Sequence, residues 1–245
     1  KLKEKNFIFF ADPFPLSKKL ILAEAMNLKN IGELVLIDTE KNLILKRFTE
    51  LKGHVSFPFI FFENKSIYII PEISHWSNQK IFKYDLKNNK LDNEKNLIGE
   101  NLHRLKDPVV YKKRKNYFLF FNLKNSKKVE VYHSKKLIGK FKRVKNISKG
   151  NSGFRMGGNI INLKNKEYRI SQNNSNLYGD GVKLNKIIKI NNNIYNEKFL
   201  RVLKFNNLYG PHTISFTDDY LFFDYYFLKF DLFAFFKKLK TKIFS

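Results

Sequence analysis

The feature that most restricts this chain is a recurring unit. An apolar run enters at an X-Pro step, turns, and returns as a second apolar run. The unit appears as Phe9-Phe10-Ala11-Asp12-Pro13-Phe14, as Ser56-Phe57-Pro58-Phe59-Ile60 and as Lys106-Asp107-Pro108-Val109-Val110. The returning runs are 20–23, 66–70 and 117–121. The prolines of these steps recur at about 45 to 50 residues, a period that short strands adopt in propellers, where each blade is one antiparallel sheet. A single blade cannot bury both faces, so blades pack around an axis.

The spacing predicts an all-β chain, a five-bladed β-propeller over 1–230. The blades run over 6–45, 54–98, 107–144 and 154–203, and a short fifth begins at His212. The 26 Phe and 12 Tyr supply a large core and favour strands, where big side chains pack on a pleated surface. The N-terminal segment is expected to close the ring beside the short last blade. In 231–245, Leu232, Phe235, Phe236, Leu239 and Ile243 recur at helical spacing with lysines between them. That pattern predicts a basic amphipathic C-terminal helix, which either packs on the propeller or lies on an anionic membrane surface.

Charge narrows the partners. The formal net charge is +25, which suits an anionic partner or surface. The lysines are spread along the whole chain, however, and also read as loop decoration. The chain has no cysteine, so disulfides, thiolate nucleophiles and cysteine metal sites are excluded. There is no phosphate-binding glycine loop, no dinucleotide fingerprint and no GxSxG elbow. No cofactor is expected, and the five histidines lack the tight spacing of a metal site. Nucleic acid is not an expected partner, because acidic strand ends would repel phosphates and no RNA-binding motif is present.

In a propeller the innermost strands end at one axial opening. Asp12 and Asp107 hold equivalent places at such ends, and Glu72 follows Pro71 at the end of a second strand, as Glu24 does in the first unit. Carboxylates converging in a cleft suit sugar chemistry, one protonating a leaving oxygen while another activates water or a hydroxyl. Asp12, Glu72 and Asp107 are the catalytic candidates. The proline after each aspartate is expected to hold it extended. Candidate substrate contacts are Glu24, His54, Trp76 as a stacking platform, Arg155 as an anion grip, Gln172, Tyr178 and His212.

The ordered set Ala11-Asp12-Pro13-Phe14, His54-Val55-Ser56-Phe57-Pro58, Tyr68-Ile69-Ile70-Pro71-Glu72, Asp107-Pro108, Arg155-Met156-Gly157-Gly158, Gln172-Asn173, Tyr178-Gly179 and His212-Thr213 resembles one family. It is similar to the N-terminal domain of glucosamine inositolphosphorylceramide transferases. The resemblance implies a five-bladed propeller like those of arabinanase- and invertase-type glycosidases, which use three acids from different blades. By that likeness Asp12 is base or nucleophile, Asp107 the aspartate that tunes the site, and Glu72 a general acid on an atypical blade.

The expected function is a carbohydrate-active domain in envelope or capsule glycan assembly, acting in or beside glycosyl transfer. Its partner is a sugar or glycan, with a nucleotide-sugar or lipid-linked acceptor as further candidates. The alternatives are an inverting glycoside hydrolase and a non-catalytic glycan-binding module. The expected place is cytoplasmic, peripheral to the inner membrane face.

Overall fold

The computed structural model describes residues 6–73, 75–124, 126–148, 153, 155–174, 179–205, 209–217 and 219–226. Tyr178 and the helix expected over 231–245 lie outside them. The described residues are all-β. Their strands are β1 (Phe7–Pro15), β2 (Leu20–Asn27), β3 (Gly32–Asp38), β4 (Leu43–Arg47), β5 (Val55–Glu63), β6 (Ser66–Ile73), β7 (Lys80–Asp85), β8 (Lys90–Asn96), β9 (Ile98–Gly99) and β10 (Leu105–Lys113). There follow β11 (Asn116–Leu123), β12 (Val129–Ser134), β13 (Lys140–Arg143), β14 (Asn146–Ile147), β15 (Met156–Leu163), β16 (Lys166–Gln172), β17 (Val182–Ile190), β18 (Ile194–Leu203), β19 (Ile214–Phe216) and β20 (Leu221–Phe223).

They form four sheets, ordered β1-β2-β3-β4, β5-β6-β7-β8, β10-β11-β12-β13-β9 and β14-β18-β17-β16-β15-β19-β20. The first three sheets match the first three units read from the sequence. The last hairpin, β19–β20, is joined to the fourth sheet through the parallel pair Gly158 and Ile214. The first strand of each unit touches the next: β1 meets β5, β5 meets β10, β10 meets β15, β15 meets β19, and β19 returns to β1.

Local chemistry explains the hairpins. Asn64-Lys65 and Lys164-Asn165 join β5 to β6 and β15 to β16, and all four residues have positive φ. Two-residue loops of this kind match the twist of the strands they connect. Buried residues from the first three sheets and from β15, β17 and β18 build one main core. Phe14 lies edge-on to Phe57 and Phe59, with centroids 5.0 Å and 5.8 Å apart, and so locks the first sheet to the second.

One expectation fails in an informative way. Asp12, Phe57 and Asp107 precede proline, yet their φ values are +51°, +46° and +48°, in the left-handed region. At each of them the register slips, between Ala11 and Phe14, Ser56 and Phe59, and Lys106 and Val109. These are β-bulges, which insert a residue and re-aim the backbone. A left-handed non-glycine residue costs roughly 1–3 kcal/mol. At Asp12 and Asp107 the re-aimed N–H reaches a carboxylate, and such a charge-assisted bond contributes about 1.5–3 kcal/mol, enough to offset the strain.

In the fourth sheet the matching place is Gly158, with φ +140°. A Cβ there would overlap the Ile214 carbonyl oxygen, so the close approach of β15 to β19 requires glycine. Gly158→Ala is expected to destabilise the fold by roughly 2–4 kcal/mol, read as a lower denaturant midpoint. An unchanged midpoint would show that the β15–β19 join is not part of the cooperative unit.

Candidate functional site

Acids from distant parts of the chain meet at one cavity of about 520 Å³. Asp12 stands on β1, Glu24 on β2 and Glu72 on β6, while His212 precedes β19 and Asp224 directly follows β20. All five line the cavity. His54, Lys106 and Arg155 also line it. Asp107, on β10, is buried beside this lining.

The residues form two clusters. In the first, the Asp12 N–H donates to Asp224 Oδ2 at 3.0 Å. Asp224 Oδ1 accepts the backbone N–H groups of His212 and Thr213, both at 2.8 Å. The His212 ring lies between the two acids, with Nδ1 3.3 Å from Asp12 Oδ1 and 3.1 Å from Asp224 Oδ2. The Thr213 hydroxyl donates to Asp12 Oδ1. Burial alone would raise the Asp12 pKa, but the His212 charge and the bonds from His212 and Thr213 outweigh it and hold the carboxyl below its ordinary range. Burial likewise opposes a charged His212, yet Asp12 and Asp224 drive its pKa well above the usual histidine value. The pair is aspartate with imidazolium.

In the second cluster, Arg155 grips Asp107 with both arms of its guanidinium, Nε to Oδ2 at 2.6 Å and NH2 to Oδ1 at 2.7 Å. Glu72 pairs through Oε1 with the Lys106 ammonium and accepts the Asp107 N–H on Oε2 at 2.9 Å. Burial pushes Asp107 up to about 6 despite Arg155, and the charge of Glu72 adds to the rise.

Glu24 differs from the others. Burial first, and then the negative charge of Asp12, push it up to about 8. Its near neighbour His54 accepts the Gly32 N–H on Nδ1 at 2.9 Å and sets Nε2 3.8 Å from Glu24 Oε1. Burial lowers the His54 pKa, so the ring is neutral with its proton on Nε2. The cavity therefore holds one acid driven toward the carboxylate, Asp12, and one driven toward the protonated acid, Glu24.

Asp12, Glu24, His54, Glu72, Arg155 and His212 are thus brought together around the cavity, with Asp107 behind them. Two other expected contacts are elsewhere. Trp76 folds back onto the core, 5.8 Å from the Phe82 ring, with the Lys80 ammonium 4.3 Å over its face. It is not among the residues that line the cavity. Gln172 is buried and donates to Met156 O at 2.9 Å and Asp107 Oδ2 at 3.4 Å, so it supports Asp107 rather than facing the cavity. Asp224 was not anticipated. Its signal is the run Leu221-Phe222-Phe223-Asp224, an apolar run followed by an acid, as in Leu20-Ile21-Leu22-Ala23-Glu24.

Asp12, His212 and Asp224 also offer three ligand atoms within 4.8 Å of one another, a grouping that could hold a metal ion. Histidine spacing alone did not reveal it. A metal would have to displace the proton from His212, since only neutral imidazole ligates.

The raised pKa of Glu24 makes a stability prediction. A carboxyl at 4.5 in the unfolded chain and about 8 when folded contributes stability that is full below 4.5 and is lost as pH rises toward 8. Glu24→Gln removes this dependence. The variant is expected to gain on the wild type by up to roughly 4 kcal/mol between about pH 5 and pH 8, seen as a widening gap in thermal midpoint. A gap of equal size across that window would show that Glu24 is not held protonated.

The sequence model of one family, glucosamine inositolphosphorylceramide transferase 1, N-terminal, matches residues 45–207. The match contains Glu72, Asp107 and Arg155, whereas Asp12, Glu24, His212 and Asp224 lie outside it. No curated protein sequence matches the chain. Among solved structures, the RS223 β-xylosidase has a TM-score of 0.58 at 8% identity, over 76% of this chain and 73% of that one. A GH43_1 enzyme from Xanthomonas citri gives 0.56 at 8% identity, over 78% and 73%. The α-L-arabinofuranosidase PaAbf62A from Podospora anserina, solved with cellotriose, gives 0.60 at 11% identity, over 88% and 78%. At such identities the likeness is one of fold, that of the propeller glycosidases. With the family model matching well over half of its length, this chain belongs to the glucosamine inositolphosphorylceramide transferase N-terminal domain family.

Proposed function

We propose that the chain is a five-bladed propeller, with β19–β20 as a reduced fifth blade over 1–230, and that its axial cavity binds a sugar. We further propose that it acts in or beside glycosyl transfer during envelope or capsule glycan assembly. The observation that carries this reading is the divergence of Asp12 and Glu24: two carboxyl groups in one cavity whose surroundings push their pKa values apart. Such a pair assigns a base and an acid.

In this reading Glu24, rather than Glu72, is the proton donor. Both Glu72 oxygens are engaged, by Lys106 and by the Asp107 N–H, which suits a fixed carboxylate. Glu24 protonates the leaving oxygen as the bond from the anomeric carbon breaks. An incoming hydroxyl adds to that carbon and gives its proton to Asp12. With water as the incoming group the outcome is hydrolysis; with a sugar hydroxyl it is transfer. Arg155 and Lys106 hold Asp107 and Glu72 in place, and His212 keeps Asp12 ionised.

The family name, the fold shared with xylosidases and an arabinofuranosidase, and the cellotriose bound to one of them support a sugar as the ligand. The net charge of +25 supports a place beside an anionic membrane on its cytoplasmic side, where a nucleotide-sugar or lipid-linked acceptor is available. Residues 231–245 are proposed as the contact with that surface.

A glycan and nucleotide-sugar binding screen on the wild type, followed by turnover of the ligands found, tests the reading. Asp12→Asn and Glu24→Gln are each expected to lower turnover about 100-fold or more with ligand still bound. The wild-type rate should fall as pH passes about 8, where Glu24 loses its proton. Binding without turnover, unaffected by either substitution, would leave a glycan-binding module. No binding to any sugar would overturn the reading.

A further inference from the structure

One part of the cavity is not used by the acids. On β1 and β2 the pairs Ala11 with Glu24 and Phe9 with Met26 are in register, with the pair Phe10 and Ala25 between them. Alternate residues share a sheet face, so Phe9 and Met26 continue the face that carries Glu24. Strands rise about 3.4 Å per residue, which puts this pair about 7 Å further out than the acid. Both side chains line the cavity, as do Tyr225 and Tyr226. The wall extends past the acids because β1 starts five residues before Asp12, whereas β10 starts two before Asp107 and β5 two before Phe57.

This surface is open yet braced. Phe9 is 44% exposed and Tyr225 is 52% exposed. Tyr226 is stacked on Tyr209, with centroids 5.4 Å apart and planes 14° from parallel, and two backbone hydrogen bonds tie these residues together. A rigid aromatic face beside carboxylates suits a pyranose ring. Its axial C–H groups form an apolar patch with slightly positive hydrogens, which rests on the negative face of an aromatic ring. The sugar's edge hydroxyls remain free to bond tyrosine hydroxyls or water.

We infer that the ligand is longer than the sugar held by the acids: a glycoside whose second ring lies on Phe9, Met26, Tyr225 and Tyr226, on the leaving-group side of Glu24. This rests on the sugar-binding reading above and deepens it. A single hexose would leave the wall wet, while a disaccharide covers both the acids and the wall.

The test is a calorimetric binding series with methyl glucosides, xylosides, glucosaminides and hexuronides, each as monosaccharide, disaccharide and trisaccharide. For whichever sugar binds, the disaccharide is expected to bind the wild type about tenfold tighter than the monosaccharide, and the third ring to add little. In Phe9→Ala and Tyr225→Ala, truncations of exposed rings that leave the core intact, that ratio should fall to about threefold or less. Equal affinity for one ring and two in the wild type, or an unchanged ratio in both variants, would overturn the inference while leaving sugar binding standing. Failure of every member of the series to bind would count against both readings.

Discussion

A backbone N–H turned out of its strand has to find an acceptor or lose the free energy of the bond. In this protein that requirement joins neighbouring sheets. Asp107 sits in a bulge of the third sheet, and its N–H goes to Glu72 on the second. Asp12 sits in a bulge of the first sheet, and its N–H goes to Asp224 beyond the last strand. The first strand of a unit and the acid at the end of the preceding unit's second strand are thereby tied. The same step that closes the fold brings carboxylates to a common opening, so stability and site geometry have one origin.

Several buried carboxylates in one place repel each other, and ionised groups lose solvation when buried. Among the described residues, three cations meet this. Arg155 forks onto Asp107, Lys106 pairs with Glu72, and His212 lies between Asp12 and Asp224. Glu24 stands at the same topological place as Glu72, but its nearest basic group is His54, whose ring burial keeps neutral. Burial and then the charge of Asp12 push its carboxyl up to about 8. The asymmetry between Asp12 and Glu24 follows from how cations are distributed over the units, and it is this asymmetry that makes acid and base roles available.

Much of the fold was legible in the chain. The X-Pro steps and their spacing marked the first three sheets. The last hairpin was found, but its attachment to the fourth sheet through Gly158 depends on a close backbone approach that no spacing announces. The site was legible in kind and less so in detail. Acid-bearing strand ends pointed to Asp12, Glu24, Glu72 and Asp107. Asp224 is not legible as a strand end, because the run 220–225 reads as one continuous strand, whereas β20 stops at Phe223. Trp76 and Gln172 were placed by nearness to Glu72 in the chain and by strand-end position, and neither criterion tells which way a side chain turns.

The strand repeat and the kinds of residue that meet at the cavity are written in the chain, because period and proline act locally. Tertiary structure alone decided which acid is charged. Protonation depends on burial and on the nearest cation, and the cations beside Asp107 and Asp12 are Arg155 and His212, far along the chain from each. The left-handed turns at Asp12 and Asp107 were also decided there: local sterics favour an extended residue before proline, and a distant carboxylate holds the other conformation.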